Sequence, residues 1–385
     1  MRTPSRTPIK AIVAASMLLV NMGTVQAGEA DTPPPVFEKI WSANTLYDAP
    51  DNETIQSFKL VGRYHGQYWS VDADQGEADG WENRRMIFGF NTQLYQNFKL
   101  ELQIYVEENF SPAYDGLYVG FIEWFPDEED VSLQFGRLDY VFNGLERTTS
   151  SKRIATFERS QLVNQLMPGE VFGFYGKSEL DFGSIQGGLF TGATNEEFGD
   201  FDSGMGATAG IEIHLPIFFE SGSLHLDYLY NDGDKRNNAF EFYRDVASLW
   251  HQGQLGAWDV GLDLTYGGHN YEGRGDVWGF TLLPIYELSR NLWLGGDSLQ
   301  LAMRYHYSSG EGNNDLSLQR RYELEVTQGI AGDHYESLYA GLNYLLYDHK
   351  LKLMAGLEYA DMEDAANDGG EYSGLTYFAG LRLYF

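Results

Sequence analysis

Apolar and polar residues alternate with a period of two along most of the chain after residue 57, and the helical period is almost absent. In the run FKLELQIYVEEN, the residues from Phe98 to Val106 place Phe, Leu, Leu, Ile and Val on one face and Lys, Glu, Gln and Tyr on the other. Several apolar faces end in Tyr, Phe or Trp, as do the aromatic girdles of membrane barrels. The alternation therefore predicts β-strands with one apolar and one polar face.

Sixteen such runs follow one another, and most are about ten residues long, the length of a tilted strand that crosses the hydrocarbon. They lie near 58–71, 81–95, 98–108, 115–125, 131–137, 169–178, 184–192, 206–215, 222–230, 245–255, 258–267, 276–288, 297–308, 336–347, 350–361 and 374–385. An even number suits a closed bacterial barrel. We therefore predict an all-β fold, a 16-stranded antiparallel transmembrane β-barrel over residues 57–385.

The connections support this interpretation because they alternate between short and long. Gln96–Asn97, Gly256–Ala257 and Asp348–His349 are short, whereas the polar stretches Asp72–Gly80, Asn231–Asn238 and Asp361–Glu371 are longer. Short periplasmic turns and long external loops give a barrel this rhythm. The last strand places Tyr377, Ala379, Leu381, Leu383 and Phe385 on the lipid face, and this aromatic ending is typical of outer-membrane proteins.

The first 27 residues have the form of a cleaved signal peptide. Arg2, Arg6 and Lys10 precede a short apolar core, and small residues at Val25 and Ala27 predict cleavage after Ala27. Cleavage removes three cations and no acid, so the net charge changes from −30 to −33. We expect export to the bacterial outer membrane, with residues 28–56 as a periplasmic N-terminal segment.

The chain has no cysteine, which excludes disulfides, zinc thiolate sites and thiol catalysis. His65, His225 and His306 occupy inward positions of the alternation, but they lie on distant strands and no carboxylate spacing marks a metal site. We predict no catalytic residue, no metal or cofactor and no nucleic-acid partner.

One connection stands out in this acidic chain because it is both the longest and basic. The stretch Leu138–Pro168 follows the fifth strand and contains Arg147, Lys152, Arg153 and Arg159 beside the hydroxyls of residues 148–151. Hydroxyl groups donate to oxyanions, and arginine offers a fork of donors that suits phosphate or carboxylate. These residue types favour a passage for anions.

The same stretch, FGRLDYVFNGLERTTSSKRIATFER, resembles the corresponding part of the phosphate-selective porin O and P family. VGRYHGQYW resembles the first strand of that family, NRRMIFGF its second strand with paired arginines, and LYAGLNYLLYDHKLKLMAGLEY with GLTYFAGLRLYF its closing strands. The resemblance covers both ends of the mature chain and is vague between about residues 190 and 330.

The resemblance implies a homotrimer of sixteen-stranded channels, in each of which the third external loop folds inward and forms the constriction. Small anions, phosphate and polyphosphate, would pass along basic side chains. By motif, Arg147 takes the place of the central lysine and Ser150 that of a neighbouring hydroxyl, and Lys152 and Arg153 lie in the same loop. The positions that match an arginine ladder are Arg63, Arg84, Arg85 and Arg159.

The sequence also departs from the family. A later external cluster of arginines has no clear counterpart, and the nearest cations are Lys235, Arg236 and Arg244. If Asp139, Glu146 and Glu158 neutralise the basic loop, the chain is a general, weakly selective porin, and an outer-membrane barrel enzyme is a further alternative. The acidic external loops are either simply solvated or bound through divalent cations to lipopolysaccharide, which we expect as a partner together with outer-membrane lipids.

Overall fold

The structure, a computed structural model, describes residues 35–126, 130–139, 144–191, 197–199, 202, 204–215, 219–233, 242–312, 314–318, 321–364 and 370–385. Sixteen long strands dominate it. They are β1 Ile55–Ala73, β2 Gly76–Leu94, β3 Phe98–Val106, β4 Tyr114–Trp124, β5 Val131–Leu138, β6 Val171–Leu180, β7 Gly183–Thr191, β8 Gly206–His214, β9 Ser221–Asn231, β10 Tyr243–Leu255, β11 Trp258–Asn270, β12 Val277–Arg290, β13 Ser298–Gly310, β14 His334–Tyr347, β15 Leu351–Glu363 and β16 Tyr372–Tyr384.

Each strand pairs antiparallel with the next, and the last pairs with the first. The closing register runs from Gly374 opposite Ala73 to Tyr384 opposite Arg63. Closure leaves no sheet edge, so the backbone groups of the strands can pair within the protein at membrane depth. The predicted 16-stranded antiparallel barrel is confirmed.

The two faces of the strands differ in exposure as the alternation predicts. Leu102 is 37% exposed and its neighbour Gln103 only 3%, while Tyr377 is 46% exposed and Phe378 only 6%. Apolar side chains thus cover the outer surface, and the inward side chains pack inside the barrel.

One predicted loop is wrong. The stretch Asp72–Gly80 is not a loop, because β1 and β2 have 19 residues each and pair up to Ala73 opposite Gly76. Acidic side chains on an exposed hairpin remain solvated while the backbone pairs, so their charge does not end a strand. The short turns are confirmed, and Gln96, Gly256 and Asp348 adopt positive φ there.

The segment before the barrel has structure of its own. Helix α1, Pro35–Ser42, is followed by a short strand, Thr45–Asp48, that pairs with the start of β1. The Trp41 indole N–H donates to the Tyr384 carbonyl at 2.7 Å and fixes the helix beside the last strand. The predicted signal peptide lies outside the described residues. None of the described helices is long and apolar enough to cross a membrane.

An apolar core lies inside the barrel and not between two layers. The residues 144–168, here called the inner segment, contain helices α2, Leu145–Thr148, and α3, Gln161–Leu166. Leu162 and Leu166 of α3 pack in one cluster with the inward residues Val246 and Val277 of the wall. A second external stretch, which holds the short helix α4, Leu324–Thr327, adds Leu316 and Leu318 to that cluster. These two stretches therefore narrow the lumen.

The close approach of β2 and β3 gives a test of the wall. A Cβ on Gly89 would lie 1.9 Å from the Leu102 carbonyl oxygen, whereas a Cβ on Gly169 meets nothing within 4 Å. We expect Gly89→Ala to lower the free energy of unfolding by about 1–3 kcal/mol, because the strands must separate. Urea unfolding in detergent measures this change, with Gly169→Ala as the matched control. Equal midpoints for the two variants would contradict the packing described.

Candidate functional site

The inner segment begins on the wall formed by β9 and β11. The Gly144 N–H donates to the Asp227 carboxylate at 3.3 Å, and the Leu145 N–H donates to the Asp263 carboxylate at 2.7 Å. The first N–H groups of a helix have no partner within it, and carboxylates are favourable acceptors for them. Two inward carboxylates of the wall thus anchor the start of α2.

A buried arginine of the wall connects the segment to strands β13 and β15. Arg304 of β13 is fully buried, and its Nη1 donates to Glu146 and to the Glu158 carbonyl, each at 2.7 Å. Its Nη2 donates to Glu358 of β15 at 2.7 Å. A buried charge is tolerated when it is paired and hydrogen-bonded in this way. Sequence reasoning did not identify Arg304, although the alternation on β13 places it inward.

Arg147 lies at the base of the segment. Its guanidinium donates to Asp139 at 2.9 Å and to the Pro168 carbonyl at 3.1 and 3.3 Å, and only 8% of the residue is exposed. Burial alone would raise the pKa of Asp139, but Arg147 lowers it. Arg147 therefore fastens the two ends of the segment together.

The paired arginines of β2 both face the lumen because of a β-bulge. His65 pairs with Arg85 while Gly66 pairs with Asn83, so Arg84 is an extra residue on β2. Strict alternation would have turned one of the two arginines towards lipid. Arg84 donates two bonds to Glu158, at 3.0 and 3.2 Å.

Arg63 and Lys152 lie near each other on the wall side of the segment. Arg63 donates to the Tyr118 hydroxyl at 3.2 Å and to Ser151. The Lys152 ammonium lies 5.1 Å from the centre of the Tyr384 ring. Burial and the neighbouring Arg63 lower the pKa of Lys152 to about 8.

A cavity of about 700 Å³ lies between the inner segment and strands β10–β13. Of the predicted site residues, Ser150, Arg153 and Arg159 line it, whereas Arg147, Lys152, Arg63, Arg84 and Arg85 do not. Its uncharged hydroxyl and amide groups come from Thr148, Thr149, Thr156, Gln252, Gln254 and Gln300. This lining can hydrogen-bond a hydrated or oxygen-rich solute.

Both acidic and basic side chains line the cavity. Glu287 pairs with Arg290, and Glu146 is bound by Arg304. Arg153, Arg159 and the carboxylate of Asp259 also line the cavity, and Asp259 accepts two bonds of 3.1 Å from the Gln252 amide. Burial and Arg147 lower the pKa of Arg159 to about 10, so it is still a cation at neutral pH.

The closing strands supply two further cations that sequence reasoning missed. Lys352 of β15 donates to the Ile154 carbonyl at 2.7 Å, and Arg382 of β16 donates to the Phe157 carbonyl at 2.6 Å. Both stand at inward positions of the alternation, and that signal alone would have identified them. Lys235 and Arg236 lie outside the described residues.

The described part of the chain contains no group of three or more His, Asp or Glu side chains that could hold a metal ion. Arg244, the remaining cation near the family's external cluster, pairs with Asp245 at 2.8 Å.

The pair of Arg147 and Asp139 can be tested by a double-mutant cycle. We expect Arg147→Met to destabilise the protein by about 3–5 kcal/mol, because it leaves the Asp139 carboxylate buried and unpaired. Adding Asp139→Asn should recover part of this loss, which thermal unfolding in detergent measures. Strictly additive effects of the two substitutions would show that the pair does not hold the segment.

Comparison with known proteins gives a match to the family described as phosphate-selective porin O and P over residues 58–244. The comparison finds no curated protein that matches the chain. Salmonella typhi OmpF in complex with daunomycin is similar in structure, with a TM-score of 0.57 and 12% identity over 89% of this chain and 100% of that one. An anion-selective porin from Comamonas acidovorans has a TM-score of 0.55 and 12% identity, over 86% and 99% of the two chains.

The trimer form of Vibrio cholerae OmpT, an outer membrane protein, is also similar, with a TM-score of 0.52 and 12% identity over 85% of this chain and 99% of that one. At such low sequence identity these structural similarities show the fold alone. The family match, in contrast, also indicates the type of protein, which is a porin. The barrel fold, the inner segment and the family match all indicate the same type of protein. The chain is therefore an outer-membrane porin, and its resemblance to the phosphate-selective porin O and P family is confirmed.

Proposed function

We propose that the barrel is an anion-selective diffusion channel with a preference for phosphate or polyphosphate. Anions would pass the inner segment through the cavity that Ser150, Arg153 and Arg159 line. Lys152 and the other basic residues around the segment would supply the positive potential. Guanidinium forks and hydroxyl donors at this place suit the oxygens of phosphate.

The main support for this proposal is the set of cations around the inner segment that have no carboxylate at ion-pair distance among the described residues. Its nearby carboxylates, Asp139, Glu146 and Glu158, are each bound to an arginine. In the described part of the chain, no carboxylate lies within ion-pair distance of Arg63 or Lys152. The same holds for Arg85, Lys352 and Arg382. The net charge of −30 does not oppose this, since charges farther away than about 8–10 Å are screened at physiological salt.

We also infer the oligomeric state, the membrane partners and the export of the channel. A homotrimer agrees with the trimer form of the similar Vibrio cholerae protein. The apolar outer face of the barrel suits outer-membrane lipids, and the acidic external loops suit lipopolysaccharide bridged by divalent cations. Export would follow cleavage of residues 1–27.

The reversal potential in planar bilayers tests the proposal. We expect a KCl gradient to give an anion-selective potential and phosphate or pyrophosphate to reduce the chloride current. Arg153→Gln and Arg159→Gln should each lower the anion preference, because they remove positive charge from the cavity. Lys39→Gln, which also removes one positive charge but on the exposed face of α1, is the control. A cation-selective potential for the unmodified protein would refute anion selectivity.

The lowered pKa of Lys152 predicts how selectivity depends on pH. Lys152 is charged at pH 6 and loses its charge as the pH rises through about 8. It lies within three residues of Ser150 and Arg153, hence within roughly 10 Å, where screening is incomplete. The anion preference should therefore fall between pH 7 and 9.

Two variants of Lys152 separate its titration from that of other groups. Lys152→Arg should remove the fall, because arginine stays charged over this range. Lys152→Gln should give a lower preference that is the same at both ends of the range. If the fall persists unchanged in Lys152→Arg, another group causes it.

A further inference from the structure

Helix α1 has a wide apolar side, and only half of that side contacts the barrel. Phe37 and Trp41 pack against Tyr347 at the end of β14, with ring centroids 5.5 and 5.0 Å from that of the tyrosine. Val36 and Ile40 each stand one position earlier, about 100° around the helix axis. They are 56% and 57% exposed. The packing on the barrel therefore leaves half of the apolar side uncovered.

The opposite side of α1 is polar. Glu38 and Ser42 stand two positions after Val36 and Ile40, about 200° around the axis, and both are exposed. The helix is thus amphipathic, with an apolar sector that is wider than its contact with the barrel. Single exposed apolar residues are common on protein surfaces, so the exposure alone does not identify a partner.

The surface on which α1 packs belongs to the lipid face of the barrel. Tyr347 lies opposite Leu351 in the register of β14 and β15, so the two side chains share one face. Leu353 and Leu357 follow on that face by alternation, and both are exposed. Helix α1 therefore lies against the outside of the barrel.

The short strand after α1 continues the same outer face. Tyr47 lies opposite Phe58 of β1 and is itself exposed. The Phe58 ring stacks on Phe90 with centroids 5.2 Å apart, and Phe88, two residues from Phe90, is exposed on the lipid face. The helix and the strand are thus both attached to apolar outer surface, and Val36 and Ile40 extend that surface.

Exposed aromatic side chains mark the depth of α1 in the membrane. Tyr95, Phe182 and Trp293 are exposed, and each lies in or beside a connection at the end of the barrel that carries the short turns. Tyr347 lies at the same end, just before the turn Asp348–His349. Aromatic girdles occupy the boundary between hydrocarbon and water, and short turns face the periplasm. Helix α1 therefore lies at the level of the periplasmic interface.

We propose that α1 is an interfacial anchor that inserts Val36 and Ile40 into the periplasmic leaflet of the outer membrane. Glu38 and Ser42 then face water. Helices of this kind bury their apolar face about 5–10 Å into the boundary of head groups and acyl chains. The partner is the lipid surface, because the exposed residues continue a face that already contacts lipid. This differs from the expectation that residues 28–56 form a purely periplasmic segment, and it does not depend on the selectivity of the channel.

Electron paramagnetic resonance on a single nitroxide tests the proposal. The chain has no cysteine, so Ile40→Cys provides one thiol to label. The mature protein is reconstituted into vesicles of phosphatidylethanolamine and phosphatidylglycerol. Power saturation then measures collisions of the nitroxide with oxygen, which concentrates in hydrocarbon, and with a nickel chelate, which stays in the water on both sides. We expect the ratio of oxygen to nickel collisions to be several-fold higher for Ile40→Cys than for Ser42→Cys, the control on the polar side of the same helix.

Two other results would overturn the proposal. Frequent nickel collisions at Ile40→Cys would place the residue in water. Rare collisions with both reagents would show that protein covers it, as a neighbouring protomer would. Val36→Cys, one turn earlier on the same side, repeats the measurement with the same expected result. Both side chains are exposed, so neither substitution removes a contact that the fold requires.

Discussion

The rest of the structure depends on one constraint, which is that hydrocarbon offers no hydrogen bonds to a polypeptide backbone. The sheet must therefore close, and the register of β16 on β1 closes it. Once the sheet is closed, each strand sends alternate side chains to lipid and to the interior. Because every second side chain must point inward, the polar residues of the strands lie in the interior of the barrel.

The interior is filled mainly by pairs of opposite charge and by an apolar cluster. Arg304, Arg147 and Arg84 each bind a carboxylate in or next to the inner segment. These pairs use the acids near the segment, and among the described residues no carboxylate lies at ion-pair distance from the wall cations Arg63, Arg85, Lys352 and Arg382. The ion pairs that hold the inner segment in place thus also leave the positive potential that we propose for transport.

The wall could be predicted from the sequence, because a period of two over sixteen runs is a local signal. Local patterns do not show how β1 and β2 continue through the acidic stretch at residues 72–80, nor the bulge that turns Arg84 and Arg85 to one side. The wall residues that bind the inner segment could not be predicted from the sequence either. Arg304 and Glu146 are 158 residues apart in the chain, and only the closed barrel brings them together.

The central claim is that the inner segment borders the path of ions, and Ser150 gives the most direct test because it is exposed and lines the cavity. The chain has no cysteine, so Ser150→Cys provides a single reactive thiol. If ions pass along this segment, a sulfonate-bearing thiol reagent should lower the anion preference in planar bilayers, and a trimethylammonium-bearing reagent should raise it. Currents that neither reagent changes, on protein shown to be labelled, would contradict it.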